Sequence, residues 1–443
     1  MRRVVLVVLA LLILVIFNAC SILKPGGEPS FIKVNGTHLE QDGKLYYFTG
    51  ANMWYGSYIA SSGKTGDRER LKRELDNLKS IGITNLRILG ASEEINIENS
   101  LNSSFQNKPG VYNDTLLDGL DFLLAEMGKR GMYAVIFINN YWNWSGGMSQ
   151  YKDWADGGGG VDSLNKYKGE FLDYAAAFYG DAKANGLFRN YLHYLINRKN
   201  NYTGNYYYED PAIMAWQLAN EPRPGRDRKF LEEYYSWIDS TAKYIHTIDK
   251  NHLVTTGSEG LEGTLRDSAI FFKTHQFKSV DYMTMHLWAK NWGWFDAKNA
   301  EKTYGQAEKK AVEYINKHLI YAREMDKPIV LEEFGLPRDS EFCTAGTPTT
   351  VRDKYYKKIF GLIYDSASTG SAIAGTNLWG WGGEGRPQRP DGKHQTGDPL
   401  VGDPFGEPQG LNSVFDADTS TIGIIKNNAN LMNLLDKKII KMN

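Results

Sequence analysis

Eight short, strand-like apolar runs recur along this chain, and amphipathic stretches separate most of them. The runs fall at Tyr46 to Asn52, Asn85 to Leu89, Tyr133 to Asn139, Ile213 to Asn220, His252 to Ser258, Tyr282 to Trp288, Pro328 to Gly335 and Ala374 to Trp381. Between them lie stretches such as DRERLKRELDNLKSIG, where Leu71, Leu75 and Leu78 sit at helical spacing among charges and Gly82 supplies a stop. Strand and helix taking turns in this way favours a single (β/α)8 TIM barrel over a doubly wound sheet, and no G-x-G-x-x-G follows the first run to argue for a dinucleotide fold. Ahead of the first run, FIKVNGTHLEQDGKLYYFTGAN reads as a β-hairpin pair with turns at Asn35-Gly36 and Asp42-Gly43. Residues 31–443 are therefore expected to form one α/β barrel domain that carries an N-terminal β-hairpin. DWADGGGGVDS, the one low-complexity segment, reads as a flexible insertion after the third strand.

In such a barrel the carboxyl ends of the strands share one face, where the chemistry sits. The residues closing the runs then form one set: Asn52 and Trp54, Arg87, Asn139 and Asn140, Asn220 and Glu221, Ser258 and Glu259, His286 and Trp288, Glu332 and Glu333, Trp379 and Trp381. Nearly all are polar or aromatic. Were packing alone at stake, runs with apolar bodies would end in ordinary turn residues.

Two of these ends carry carboxylates across the mouth from each other, Glu221 after the fourth run and the Glu332/Glu333 pair on the seventh. A glycosidic bond is cleaved by such a pair: one carboxyl protonates the leaving oxygen, and the other attacks the anomeric carbon, with retention at a separation of roughly 5–5.5 Å. The acid must be held protonated by burial or a nearby negative charge, while donors keep its partner ionised; Arg87 and His286 are the available donors. Spacing does not choose between Glu332 and Glu333. Taken singly, each feature has a structural explanation: Glu-Pro suits a helix start, a lone histidine is more often structural, and Arg87 could pair with a strand-end carboxylate. Their combination at the strand ends carries the inference.

The 11 Trp and 27 Tyr cluster in loop-like sequence, as in NNYWNWSGGMSQYKDW (Asn139 to Trp154) and HLWAKNWGWF (His286 to Phe295). Large rings left near water beside Asn, Gly and Asp suit the apolar C–H face of a sugar. A net charge of −1 without a Lys/Arg block argues against nucleic acid as a partner. There is no H-E-x-x-H, no Cys/His metal spacing, no G-x-S-x-G elbow and no P-loop, so neither metal nor cofactor is expected. Asp398 and Asp403 read as turn residues rather than ion ligands. Arg2 and Arg3, an apolar run from Val4 to Phe17 and then Asn-Ala-Cys read as an export signal over residues 1–20, with residues 21–30 a Pro/Gly linker. Cys20 stands where a bacterial lipoprotein is acylated. The expected location is the cell surface or outer membrane, or secretion; an uncleaved anchor is the alternative. Cys343 is left without a disulfide partner, and a monomer is expected.

WQLANEPR together with IVLEEFG resembles the acid/base and nucleophile strands of glycoside hydrolase family 5, whose members are retaining (β/α)8 glycosidases. NNYWNWSGGMSQY, TTGSEG, HLWAKNWGW, NLWGWGGEGRP and GDPFGEPQGLNSVFDADTSTI resemble the endo-β-1,4-mannanases of that family, over the chain from about Phe31 onward. The resemblance implies Glu221 as acid/base and Glu333 as nucleophile, Asn220 on the sugar 2-hydroxyl, Arg87 beside the nucleophile, His286 near the acid/base, and Trp379 as the floor of the −1 subsite. Trp288 stands where many members carry Tyr. Trp54, Trp142, Glu259 and Trp381 complete the expected substrate-binding set. Endo-hydrolysis of mannan, glucomannan or galactomannan is thus the expected function. A cellulase, an exo-acting mannosidase, or a surface glycan-binding protein that has lost its chemistry are the alternatives.

Overall fold

The computed structural model describes residues 30–101, 103–161 and 169–435; the export signal, Cys20 and nearly all of the linker lie outside them. Eight parallel strands make the barrel: β1 (Phe48–Asn52), β2 (Asn85–Leu89), β3 (Tyr133–Phe137), β4 (Ile213–Gln217), β5 (Leu253–Thr255), β6 (Met283–Leu287), β7 (Ile329–Phe334) and β8 (Ile373–Leu378). Hydrogen-bonded neighbours run β5-β4-β3-β2-β1-β8-β7-β6. A parallel bridge between Thr255 and Tyr282 closes the remaining seam.

A barrel helix follows each strand: α1 (Arg68–Ser80), α2 (Asp114–Lys129), α3 (Ala182–Ile196), α4 (Leu231–Ile248), the short α5 (Ser268–His275), α6 (Ala300–Glu324), α7 (Thr350–Ser368) and α8 (Thr419–Met432). Helix α1 shows how the local sequence sets this. Asp67 caps its first turn by accepting from Arg70 N at 2.8 Å. Leu71, Leu75 and Leu78 are fully buried on one face. Gly82, at φ +87°, turns the chain into β2.

The N-terminal hairpin pair is a three-stranded antiparallel meander over Lys33–Asn35, His38–Gln41 and Lys44–Leu45. Asp42 and Gly43 both have positive φ, 53° and 72°, as a type I′ turn demands. From the meander, Ile32 and Leu39 pack with Phe48, Val135, Met214, Leu253, Val330 and Ala374, all near the strands' amino ends, and plug the barrel floor. The opposite mouth is left for the loops. The loop after β3 is the longest elaboration, with extra helices at Gly147–Asp156 and Gly169–Ala176; the Gly-rich stretch expected to be a flexible insertion runs from the end of the first of these, and its last residues, 162–163, lie outside the described part.

Candidate active site

Beyond β4 the backbone stays tied to its neighbours: Leu218 N donates to Thr255 O, Asn220 N to Asn139 O, and Glu221 N to Gly257 O at 3.0 Å. Gly257 is required here, because a Cβ on it would meet Ala219 O at 1.9 Å and its φ is +77°. Glu221 itself adopts φ +53°, a conformation unusual for a side-chain-bearing residue and characteristic of functional sites. This turn aims its carboxyl over the mouth. Across from it, a register shift between Met285 and His286 sets His286 opposite Glu333. One oxygen of Glu221, one of Glu333 and a ring nitrogen of His286 lie within 4.8 Å of one another. That is the spacing of a retaining pair, not the wider one that leaves room for a water between two carboxyls.

The two carboxyls have different surroundings. Arg87 Nη1 donates to Glu333 Oε1, and Trp288 Nε1 donates to Glu333 Oε2 at 3.0 Å. The indole therefore supplies the bond that a Tyr at this position would make. Glu221 accepts from Trp142 Nε1 at 2.6 Å and shares a hydrogen bond with His286 Nδ1 at 2.8 Å. His286 Nδ1 is also 3.3 Å from Glu333 Oε2, so it bridges the pair. Burial pushes His286 well below the usual histidine range, so the bridge is a neutral ring. Burial raises both carboxyls, opposed at Glu333 first by Arg87 and at Glu221 first by Arg223, and the charge of Glu221 adds to the cost of ionising Glu333. One charge between them is then the stable arrangement. Arg87 and Trp288 are bonded to Glu333, and the cation next to Glu221, Arg223, is paired with Glu259.

Arg87 is the hub. Besides Glu333 it donates to Gln217 Oε1 at 2.8 Å, Asn52 Oδ1 at 3.0 Å and Asn220 Oδ1 at 2.8 Å. Asn220 passes one amide hydrogen to Asn140 Oδ1 at 3.1 Å, leaving the other for a ligand hydroxyl. Glu332, the carboxyl that spacing could not separate from Glu333, points into the barrel interior beneath it, bonded to Gln217 and Tyr282.

A cavity of about 300 Å³ opens over these groups. Of the expected set, Asn220, Glu221, Glu259, Trp142, Trp288, Glu333 and Trp379 line it, and Arg87 and His286 lie fully buried at its base. Trp54 and Trp381 do not reach it. Trp54 is fully buried, with Nε1 donating to Gly402 O and its ring packed on Tyr55, Tyr58, Trp144 and Phe405. Trp381 donates Nε1 to the buried Glu74 at 2.7 Å. Both serve the fold behind the wall, which corrects their placement as substrate contacts.

The sequence reading missed several lining residues. Arg223 sits in the quoted Asn-Glu-Pro-Arg motif; its guanidinium lies 5.0 Å over the Trp142 ring and pairs with Glu259, whose carboxyl burial pushes up to about 7. Trp144, Asn291, Trp292 and the Pro404 to Glu407 loop complete the walls. Asp398 binds Arg389, and Asp403, fully buried, accepts from Gly410 N, Asn412 N and Ser413 N. Glu221, His286 and Glu333 converge as metal ligands can, with His286 Nδ1 in reach of both carboxyls.

Residues 29–437 match the family model described as GH family 5 beta-mannosidase-like. A mannan endo-1,4-beta-mannosidase of Solanum lycopersicum is 27% identical over 406 residues, 88% of this chain and 93% of the relative. The crystal structure of a glycoside hydrolase family 5 mannosidase from Rhizomucor miehei superposes with a TM-score of 0.85 at 34% identity, covering 93% of this chain and 100% of that one. An endo-1,4-beta-mannanase from the same organism shares the fold with a TM-score of 0.66 at 22% identity, over 91% and 99% of the two chains.

Proposed function

We propose a reaction for this chain from one premise: it belongs to glycoside hydrolase family 5, in the β-mannosidase-like group. The reaction is retaining hydrolysis of β-1,4-mannosidic linkages in mannan, glucomannan or galactomannan. The convergence of Glu221 and Glu333 within 4.8 Å under one cavity carries this reading. Glu333, ionised against Arg87 and Trp288, attacks the anomeric carbon while Glu221 gives its proton to the departing oxygen. Glu221, now ionised, then takes a proton from the water that releases the sugar from Glu333. Trp379, beside Trp288 at 5.8 Å between ring centres, offers a face to the reacting sugar.

Cleavage within the chain is the mode named for the plant relative. A second mode, removal of single mannose units from a chain end, is favoured by the small cavity and by the higher TM-score to a family 5 mannosidase, 0.85, than to an endo-mannanase, 0.66. Product analysis on linear mannan and galactomannan tests both. A ladder of oligosaccharides with early loss of viscosity supports the internal mode, and mannose alone supports the terminal one. No release from either, with release from carboxymethylcellulose, overturns the mannan reading. We propose further that residues 1–20 direct export of a monomer and that Cys20 is acylated. Its support is the Arg2-Arg3 start and apolar run, and its test is whether Cys20→Ser moves the protein from the membrane fraction to the medium.

A further inference from the structure

Beneath the nucleophile lies a second buried carboxyl that the reaction just described does not use. Glu332 is 1% exposed. Its Oε2 accepts from Gln217 Nε2, and its Oε1 accepts from the Tyr282 hydroxyl at 3.2 Å. Gln217 Oε1 in turn accepts from Arg87 Nε at 2.8 Å, and Arg87 Nη1 donates to Glu333 Oε1. A ladder of polar contacts thus crosses the barrel interior, from Tyr282 beside β6 through Glu332 on β7 and Gln217 on β4 to Arg87 on β2, and returns to the nucleophile on β7.

Only one orientation of the Gln217 amide satisfies both neighbours. Flipped, its NH2 would face the guanidinium and its oxygen would face a carboxyl oxygen. Glu332 selects the orientation that gives Arg87 Nε an acceptor, and so fixes the plane from which Nη1 reaches Glu333. Resting on the reading of Glu333 as nucleophile, we propose that Glu332 is a positioning residue, which through Gln217 holds the Arg87 guanidinium against the nucleophile and keeps it ionised and aimed.

The charged and titratable groups facing Glu332 are Arg87, whose Nε is 3.9 Å from Oε2, and Tyr282. Burial pushes Glu332 up to about 7 against the pull of Arg87.

Glu332→Ala, Glu332→Gln and Gln217→Met separate positioning from mere folding. Loss of the acceptor in Glu332→Ala lowers kcat about 10²-fold, the usual scale for a displaced catalytic group, with little change in KM. It also moves the acid limb of kcat/KM, which reports ionisation of the nucleophile, to higher pH. Glu332→Gln restores an acceptor for Gln217 and recovers most of kcat. Gln217→Met, similar in volume but unable to bridge, repeats the Ala phenotype should Glu332→Ala fail to fold. The 13C resonance of the Glu333 carboxyl, assigned by its loss in Glu333→Gln, gives the same ionisation without any substrate and so stays readable if mannan is the wrong substrate. Unchanged kcat in Glu332→Ala overturns the proposal, and so does a lowered kcat with both the acid limb and the Glu333 resonance unmoved.

Discussion

Replacing Glu93 by Gln should make the protein more stable at alkaline pH. Glu93 lies just beyond β2, 1% exposed, under the loop that carries Trp142 and Trp144. Its Oε2 accepts from Gly147 N at 2.8 Å and its own N donates to Ser145 O; the buried Tyr151 hydroxyl also interacts with the carboxyl. Burial raises its pKa from the ordinary 4.5 to about 7. The folded protein therefore binds a proton between these values that the unfolded chain has released. With more protons on the native state, stability falls as pH rises through this window, is fully present below about 4.5 and is lost above about 7. A gap of about 2.5 pH units at 1.36 kcal/mol each amounts to about 3 kcal/mol. Glu259 and Glu332, also raised to about 7, add slopes of the same sign, so the wild type loses stability from several sites and Glu93→Gln removes one share. The Gln amide oxygen still accepts from Gly147 N. Urea unfolding at pH 5, 6, 7 and 8 measures this: the variant should match the wild type within about 1 kcal/mol at pH 5, the worth of one neutral hydrogen bond, and exceed it by up to about 3 kcal/mol at pH 8. Parallel curves for the two proteins across the whole range would refute the argument that Glu93 is buried as an acid.

Glu221→Ala should lower kcat on mannan about 10²–10⁴-fold, the range for general acid–base catalysis, yet spare the first step on a dinitrophenyl mannoside, whose leaving group needs no proton; equal loss on both substrates contradicts its role as the acid. Trp288→Phe removes one bond to the ionised nucleophile, worth about 1.5–3 kcal/mol, and should lower kcat/KM roughly 10- to 100-fold while shifting the acid limb upward. Steady-state kinetics across pH checks both changes. Trp54→Ala should cost about 3–5 kcal/mol of stability as a core aromatic truncation and leave the KM of the remaining folded enzyme near the wild-type value; a raised KM with intact stability would return Trp54 to the cleft.

The strands were legible because apolar runs bounded by turn residues have few other uses, and β2 begins and ends at the residues read from the sequence, Asn85 and Leu89. Runs at strand ends were over-read by a few residues, as at β5, which is Leu253–Thr255 rather than His252 to Ser258. There the chain leaves the ladder at Gly257 but stays hydrogen-bonded to the turn that holds Glu221. The same over-reading misplaced two tryptophans. Trp381 closes an apolar run and Trp54 follows one by two residues, yet their indole nitrogens are claimed by Glu74 and Gly402, partners hundreds of residues away that no local pattern reveals. Glu332 and Glu333 were indistinguishable for a related reason: which of two neighbours faces the cleft depends on barrel twist and on the irregular register of β6 against β7. Arg223 escaped because its partner, Glu259, comes from another strand end.

The plug at the barrel's underside also fixes a direction. Phe31 meets His252, just ahead of β5, at 5.1 Å between ring centres, and Ile32 sits among the amino ends of the strands. The polypeptide therefore enters the domain from the pole opposite the catalytic groove. Whatever tether, resin or fusion partner is joined upstream of Ser30 pulls on that pole, so an immobilised molecule would present its groove outward, toward a polymer too large to diffuse beneath it.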